Sequence, residues 1–410
     1  MPSLVTLVFI LTYVGMALGR VPGLKLDRVG IALIALVLLL ASESVAVGDL
    51  GAAIDGPTLI LLFALMILSA QFGAAGFYEW CASRITHAGG SPHALLALTV
   101  VVAGVLSAVL ANDIVVFAMT PLLCLGVRRR GLDPRPFLAG LAGASNAGSA
   151  ATVIGNPQNI LIGQVGGLNF WTFLLACGAP ALLALAITYG AVAIAWRAEL
   201  AHSTDRSAVT DLPLLDRWQL AKAAIGTAAL IGLFATPLPR EIGALVIAAC
   251  LLLSRRLHSR DMVGAVDWPL LLLFACLFVI THAFAATGLA QDAITGLSAK
   301  GLFPESIAVM GPLSLVASNS IGNVPFVILL LAIWPNPDPG ALYGLALLST
   351  LSGNLLLTGS LANIITAERA VAAGSRFGFA DHARAGIPMT LISVLMAAMW
   401  LAFMGWMPWR

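Results

Sequence analysis

Polar residues interrupt four apolar stretches of this 410-residue chain, and they are of the types that bind ions or polar solutes. Two stretches, 92–127 and 305–333, each carry an asparagine near the centre. The other two, 137–165 and 341–366, each contain a glycine followed four residues later by an asparagine. A helix interrupted in this way exposes N–H groups with a positive dipole end and carbonyl groups with a negative one. Four interruptions that converge could hold an anion or polar solute on N–H groups and a cation on carbonyls.

The first interruption also carries an acid, since Asp113 follows Asn112. The aligned residue in the other stretch is Val324, so this carboxyl group has no counterpart. Removal from water disfavours a charged carboxylate, which suits a residue that accepts and releases a proton. The alternative is that Asp113 caps the following helix by accepting hydrogen bonds from backbone amides. The two roles are compatible.

The interruptions supply the predicted substrate-binding and ion-binding residues, and Asp113 is also the predicted proton-coupling residue. We expect no structural metal, no catalytic residue and no cofactor, with H⁺ or Na⁺ as the coupling ion and a possible Na⁺ site at the asparagines of the first two stretches. The predicted residues are Asn112, Asp113, Ser145, Asn146, Thr152, Gly155, Asn156, Asn159, Ser318, Asn319, Asn323, Thr358, Gly359, Ser360 and Asn363.

The composition indicates an integral membrane protein. Hydrophobic residues make up 60% of the chain and charged residues 10%, with a mean hydropathy of +0.99. Soluble domains have roughly 25% charged residues. The net charge of +2 does not suggest nucleic-acid binding. Apolar runs long enough to span a bilayer are predicted at 3–19, 29–47, 57–76, 137–165, 171–196, 219–236, 239–254, 267–287, 341–366 and 387–404.

The chain contains a repeated segment. Residues 55–76 align without a gap on residues 267–288, with eight identities in 22 positions. This predicts a first repeat at 1–196, a linker at 197–218 and a second repeat at 219–410. Internal duplication of a hydrophobic chain is typical of secondary transporters, whose halves rock about a shared site at the membrane midplane.

The distribution of Lys and Arg predicts the orientation. If the loop after the first span is cytoplasmic, 18 of the 21 basic residues lie on that side, so both termini are external to the inner membrane. Each repeat then has five full spans, and an odd number inverts the second copy. Accordingly, Arg28 lies on the inner side and its repeat equivalent Arg240 on the outer side. The fold class is therefore an all-α polytopic membrane protein with two inverted repeats, each with a hairpin and a broken helix.

The stretches 92–127 and 305–333 are interpreted as re-entrant hairpins. The arm after Asp113 has about 14 apolar residues before Arg128, or ~21 Å of helix, which is less than the ~30 Å hydrocarbon core. Two full spans would return the chain to the same side, so the count of basic residues leaves that alternative open.

Several residues outside the interruptions have simpler interpretations. Asp55 and Asp267 each precede a span with proline two residues later, which predicts N-capping. Glu368 is predicted to lie at a solvated helix end, and residues 77–87 to form an interfacial helix. The five cysteines are expected to be small buried residues. They are Cys81, Cys124, Cys177, Cys250 and Cys276.

On these motifs the chain resembles the ion transporter superfamily, which includes arsenite permeases, NhaD-type sodium/proton antiporters, and sodium-coupled divalent-anion and citrate carriers. The resemblance covers both halves. It rests on the asparagines of the two tips, Thr120-Pro121 downstream of the Asn-Asp pair, Gly155-Asn156-Pro157-Gln158-Asn159, and Gly359-Ser360 followed by Asn363. It implies that each hairpin tip and its partner break surround a substrate site flanked by cation sites. It also implies a possible homodimer, as in the divalent-anion carriers.

The tips depart from the divalent-anion pattern, which has Ser-Asn-Thr. Here they read Ala111-Asn112-Asp113 and Gly322-Asn323-Val324. An ionised Asp113 would repel a dianion, and the Asn-Asp tip is closer to the arsenite-permease pattern. The resemblance therefore favours an uncharged oxyacid or a proton-coupled substrate.

The leading hypothesis is a secondary active transporter of a small anion or oxyacid, coupled to protons through Asp113. The alternatives are a sodium/proton antiporter and a sodium-coupled di- or tricarboxylate symporter. A channel is a further alternative from a different class. An enzyme is disfavoured because no P-loop, Gly-x-Ser-x-Gly or His-Glu-x-x-His motif occurs. The expected partners are the solute and the lipid bilayer.

Overall fold

The computed structural model describes residues 2–19, 23–87, 90–201, 214–236, 238–334 and 336–410. Most of the predicted linker, 202–213, lies outside the described residues, which contain helices and connecting segments but no β-strand. Up to residue 201 the helices are α1 Pro2–Leu18, α2 Arg28–Ala41, α3 Leu50–Ala53, α4 Gly56–Ala74, α5 Phe77–His87, α6 Pro92–Val109, α7 Asn112–Arg129, α8 Arg135–Ser149, α9 Pro157–Val165, α10 Phe170–Ala195 and α11 Arg197–Leu200, which lies inside the predicted linker.

After the linker the same kinds of helix follow in the same order. They are α12 Arg217–Leu233, α13 Arg240–Leu252, α14 Ser259–Gly264, α15 Trp268–Ala285, α16 Leu289–Ala299, α17 Ile307–Ile321, α18 Asn323–Ile333, α19 Pro339–Ser352, α20 Leu361–Ala372 and α21 Phe379–Phe403. Single turns of 3-10 helix lie at Val47–Asp49 and Leu357–Gly359.

Five of the described helices are long and apolar enough to cross a membrane, namely α4, α6, α10, α15 and α21. Shorter apolar helices, including α1, α2, α17 and α18, accompany them. The prediction of an all-helical membrane protein is confirmed. The inverted orientation of the second repeat stays a prediction.

The long helices α4 and α15 begin where the sequence indicates. Asp55 Oδ1 accepts a hydrogen bond from Thr58 N at 3.1 Å, and Asp267 Oδ1 accepts one from Leu270 N at 3.0 Å. In each helix a proline follows in the first turn, where the missing N–H costs nothing. The predicted capping roles of both aspartates are confirmed.

Several predicted spans have the wrong limits, including those at 29–47 and 387–404. The span predicted at 29–47 ends at Ala41, because the chain turns at Glu43, whose φ is +54°. The span predicted at 387–404 begins at Phe379, and Pro388 lies inside the helix. Its start is stabilised by Asp381, whose Oδ2 accepts a hydrogen bond from Gly378 N at 2.9 Å. The charged residues that follow Asp381 are therefore helical.

The prediction of buried cysteines is correct for four residues and wrong for Cys250, which is exposed. Cys250 lies on α13, which packs against α4 and α12 and leaves its opposite face uncovered. In a membrane protein an uncovered apolar face can contact lipid, so Cys250 need not be buried in the protein core.

The two halves interlock. Helices α1 and α2 pack against α15 of the second half, and α12 and α13 pack against α4 of the first half. The long helices α10 and α21 pack against each other, with α8 and α19 alongside both. Helix α7 packs on α20, while α18 packs on α9, so each hairpin contacts the broken helix of the other half. This exchange brings all four interruptions together.

Candidate functional site

The break between α8 and α9 is stabilised by two asparagine side chains. Asn156 caps α9, with its Oδ1 accepting a hydrogen bond from Asn159 N at 2.8 Å. Asn159 Nδ2 donates to the carbonyl oxygens of Ser149 at 3.2 Å and Thr152 at 3.0 Å. These carbonyls have lost the helical partners that an unbroken α8 would supply. The predicted motif therefore maintains an unwound segment with its backbone groups satisfied.

The break between α19 and α20 is built in the same way, 204 residues later. Asn363 Nδ2 donates to Gly353 O at 2.8 Å and to Leu356 O at 3.3 Å. These three residues align with Asn159, Ser149 and Thr152. The two halves thus use one asparagine each for the same purpose.

Glycine is required at both breaks because the backbone packs closely. A Cβ atom at Gly155 would overlap with Ser149 O, and one at Gly359 would lie 2.7 Å from Gly353 O. Neither oxygen belongs to a movable side chain.

The breaks are also bonded across the two halves. Asn146 Nδ2 donates to Asn363 Oδ1 at 3.0 Å, and Asn146 Oδ1 accepts from Ser360 Oγ at 2.9 Å. The residue aligned with Asn146 is Thr350, whose Oγ1 donates to Asn159 Oδ1 at 3.4 Å. Each half therefore contacts the break of the other through equivalent positions, as an approximate two-fold arrangement requires.

The tip of the α6–α7 hairpin is bonded to the first break. Asn112 N donates to Gly155 O at 3.2 Å, and the carbonyl oxygen of Asn112 accepts from Ser145 Oγ at 3.2 Å. Asn112 Nδ2 donates to Asn146 Oδ1 at 3.4 Å. Thr152 Oγ1 donates to the carbonyl oxygen of Ala108 on α6. The tip therefore lies against the break between α8 and α9.

The tip of the α17–α18 hairpin meets the second break. Asn319 Nδ2 donates to Ser352 O at 2.9 Å, and its Oδ1 accepts from Leu356 N at 3.0 Å. Ser318 Oγ donates to Ser349 O at 3.3 Å, and Thr358 Oγ1 donates to Asn319 O at 3.5 Å. The hydroxyl and amide groups of this tip compensate for the unwound backbone beside it.

The amide oxygens of Asn112 and Asn323 are the unusual groups of the two tips. Both oxygens are buried, and neither has a hydrogen-bond partner among the described residues. Both side chains line one cavity. A buried amide oxygen without a partner is costly, so a bound ligand that offers a hydrogen-bond donor or a cation would stabilise it.

That cavity has a volume of about 670 Å³, within the range of small-molecule sites. The lining brings both tips and both breaks together, since Asn112, Gln158, Asn323 and Ser360 all contribute. The charged residues on its wall are Asp27, Arg28, Asp113, Asp267 and Glu368.

Asp113 lies in the cavity wall with 8% of its surface exposed. It is in the first turn of α7, yet no backbone amide in the described part of the chain donates a hydrogen bond to its carboxyl group. The capping alternative thus has no hydrogen bond to support it here. The Asp113 carboxyl group thus lies on the cavity wall without a capping hydrogen bond.

The structure brings all fifteen predicted residues into this network or onto the cavity wall, and adds residues that the sequence reasoning missed. Aligning the breaks by 204 residues would have found Thr350 opposite Asn146. Arg28 and Asp267 were interpreted only as boundary residues, although both line the cavity. Glu368 is exposed, as expected of a helix end, and it also lines the cavity.

His382 had no signal in the sequence because its segment was predicted to precede the last span. The ring is fully buried, and Nε2 lies 2.9 Å from Asn354 O and 3.4 Å from Asn363 Nδ2. This distance to a carbonyl oxygen requires the proton on Nε2. His382 therefore stabilises the break between α19 and α20 by donating a hydrogen bond to Asn354 O.

An all-helical membrane chain in which two hairpin tips and two broken helices share a cavity has the architecture of a membrane transporter. The chain belongs to the citrate transporter family, whose model matches residues 7–342. The resemblance to the ion transporter superfamily is thereby confirmed.

Curated relatives match nearly the full length. A 46 kDa membrane protein of Mycobacterium leprae is 30% identical, with 96% of each chain covered. A silicon efflux transporter of Oryza sativa is 27% identical, with 91% of this chain and 92% of the relative covered. A putative transporter, arsB, of Dictyostelium discoideum is 22% identical, with 91% of this chain and 86% of the relative covered. The family and these named transporters place the chain among transporters and not among enzymes.

The YdaH transporter of Alcanivorax borkumensis has a similar solved structure. The TM-score is 0.61 at 15% identity, with 98% of this chain and 97% of that chain covered. At this identity the likeness concerns the fold alone. It extends over the whole helical arrangement described above.

Proposed function

We propose that this chain is a secondary active carrier of a small oxyacid or anion, coupled to protons through Asp113. The observation that carries the proposal is the position of Asp113, a largely buried carboxyl group on a cavity lined by both hairpin tips. In the described part of the chain it forms no ion pair. A carboxyl group in such a place can gain and lose a proton as the cavity changes access.

The reciprocal bonding of the breaks supports alternating access. Two halves that contact each other through equivalent residues can exchange roles, so a cavity open to one side has a counterpart open to the other. In the proposed orientation the lining residues Gly19, Asp27 and Glu368 are cytoplasmic, and the cavity corresponds to an inward-open state. The chain would lie in the inner membrane with both termini external.

The substrate chemistry follows from the two unpaired amide oxygens. Asn112 Oδ1 and Asn323 Oδ1 can accept hydrogen bonds from hydroxyl groups of a solute. An oxyacid that keeps some of its protons offers such hydroxyls, whereas a fully ionised anion does not. The names of the family and of one relative, which refer to citrate and to silicon, are compatible with hydroxyl-bearing solutes.

A sodium-coupled carboxylate symporter is the second candidate. The same two oxygens, together with the carbonyls at the breaks, could ligate Na⁺ instead of hydroxyl groups. A sodium/proton antiporter would use this cation chemistry without an organic solute. The coupling ion therefore distinguishes the three candidates.

The experiment is charge movement from proteoliposomes on a solid-supported membrane. The protein is challenged with arsenite, phosphate, sulfate, citrate and succinate, with and without sodium, at two pH values. We expect a saturable current for at least one solute that survives sodium removal, follows the proton gradient and is lost in Asp113→Asn.

The control is Asp55→Asn, the same substitution at a capping residue that is absent from the cavity wall. Asparagine also caps helices, so this variant should behave like the wild type. A current that requires sodium would support the symporter. A response to sodium with no added solute would support the antiporter, and proton coupling retained in Asp113→Asn would contradict the role of Asp113.

A further inference from the structure

Arg28 lies on the wall of the cavity and not on an open boundary of the membrane. It is the first residue of α2, and its Nε donates to Met16 O at the end of α1 at 3.2 Å. This bond fixes the guanidinium group between the end of α1 and the cavity. Among the described residues, no hydrogen-bond acceptor is found for the terminal nitrogens Nη1 and Nη2.

The guanidinium group reaches the tip of the second hairpin. A Cβ atom at Gly322 would lie 3.8 Å from Arg28 Nη1, and one at Gly19 would lie 3.9 Å from Nη2. The φ of Gly322 is +94°, a conformation that favours glycine. Asn323, with its unpaired amide oxygen, is the next residue. Arg28 and Asn323 therefore both line the cavity at this hairpin tip.

The carboxyl groups on the same wall do not neutralise Arg28 directly. No ion pair involves Arg28 within the described ranges. Asp27 and Asp267 accept hydrogen bonds from Gly30 N at 2.9 Å and Leu270 N at 3.0 Å, at helix starts whose dipoles stabilise negative charge. The other two, Asp113 and Glu368, lie on α7 and α20.

The location of Arg28 is unfavourable for a purely structural role. A cation in the first turn of a helix opposes the helix dipole, and burial of a guanidinium group costs free energy unless its donors are used. The planar fork of N–H groups matches a carboxylate or another oxyanion. An anionic ligand in the cavity would compensate both costs.

We propose that Arg28 binds the anionic oxygen atoms of the transported solute beside the tip at Gly322, and that it selects an anion over a cation. This inference rests on the proposed carrier function and specifies the charge of its substrate. Arg28 belongs to α2 and Gly322 to the α17–α18 hairpin, and both elements pack on α1 and α15. Bound solute would then bridge α2 and the tip of this hairpin.

The test measures the preference of the cavity for anions without requiring transport. Thr358 is an exposed residue on the cavity wall, and Thr358→Cys provides a reactive reporter in full-length protein with Cys250→Ser. The rates of reaction with an anionic sulfonatoethyl and a cationic trimethylammonioethyl methanethiosulfonate are compared. Arg28→Gln should lower the anionic-to-cationic rate ratio by about tenfold, because one charge in a low-dielectric cleft focuses the local field. Arg28→Lys should preserve most of the ratio.

The matched control is Arg240→Gln, the same change at the equivalent position of the second half. Arg240 lies over the ring of Phe234, with 5.3 Å from Cζ to the centroid, and it is absent from the cavity wall. A rate ratio within twofold of the reporter protein in Arg28→Gln, or an equal fall in Arg240→Gln, would overturn the inference.

The outcome is separable from that of the carrier proposal. Labelling depends on the charge near the reporter, whereas the solid-supported membrane experiment depends on turnover. A fall in the rate ratio without any solute current would support the anion site at Arg28 and contradict the proposed carrier function. Solute currents with an unchanged rate ratio would support the carrier function and contradict the role of Arg28 in substrate binding.

Discussion

Asn146 and Thr350 occupy equivalent positions of the two halves, and each is hydrogen-bonded to the asparagine that stabilises the break of the other half. The amide of Asn146 lies 3.0 Å from Asn363 Oδ1, and the hydroxyl of Thr350 lies 3.4 Å from Asn159 Oδ1. One half has an amide where the other has a hydroxyl, so the arrangement is related by symmetry but is not identical. Each half is therefore in direct contact with the break of the other.

Asn146→Ala should destabilise the protein and abolish transport. The substitution removes the partner of Ser360 Oγ and Asn363 Oδ1, both at buried residues, and an unpaired buried group costs about 1–3 kcal/mol. The measurement is the melting temperature in detergent, together with the solute current. Gln291→Ala, at an exposed residue of α16, controls for expression and should leave both unchanged. A wild-type melting temperature in Asn146→Ala would contradict the cross-half network.

Gly155→Ala should abolish transport by displacing the first break. Its Cβ atom would meet the carbonyl oxygen of Ser149, so the backbone of one segment must move. Gly296→Ala is the control, because a methyl group there meets open space in an exposed helix. Alanine in that position should be neutral or stabilise the helix by up to about 1 kcal/mol. Full turnover of Gly155→Ala would indicate that the break is not closely packed during transport.

His382 is expected to act as a structural donor. His382→Gln keeps a side-chain N–H that can reach Asn354 O, and it should retain transport with an unchanged pH profile. His382→Ala leaves that carbonyl without this donor and should lower the melting temperature, by the equivalent of about 1–3 kcal/mol. The measurement is the solute current as a function of pH. A shifted pH profile in His382→Gln would instead make the imidazole part of the proton path.

The orientation can be tested by labelling intact cells. Gly48 lies in the α2–α4 connection, which is predicted to be external, and Leu214 lies in the linker that is predicted to be cytoplasmic. With Cys250→Ser as background, a membrane-impermeant maleimide should label Gly48→Cys in intact spheroplasts and Leu214→Cys only after permeabilisation. The reverse pattern would invert the orientation, and with it the side to which the cavity opens.

Much of this structure could be predicted from the sequence alone, because it depends on interactions between residues that are close in the chain. Apolar composition requires a membrane environment, and bare backbone at membrane depth must line a cavity, so the four interruptions could be recognised as one site. The capping of α4 and α15 by Asp55 and Asp267 depends on residues three apart, which a sequence displays directly. The breaks contain their own asparagines for the same reason.

The features that depend on contacts between distant segments could be found only in the tertiary structure. The hydrogen bond between Asn146 and Asn363 joins residues 217 positions apart, and no local pattern specifies that pairing. The same holds for His382 behind the second break and for Arg28 at the tip beside Gly322. A charged residue near a predicted span end has the same local sequence whether it faces the membrane surface or a cavity. Only the packing of α1, α2 and α15 around the hairpin tip places Arg28 on the cavity wall.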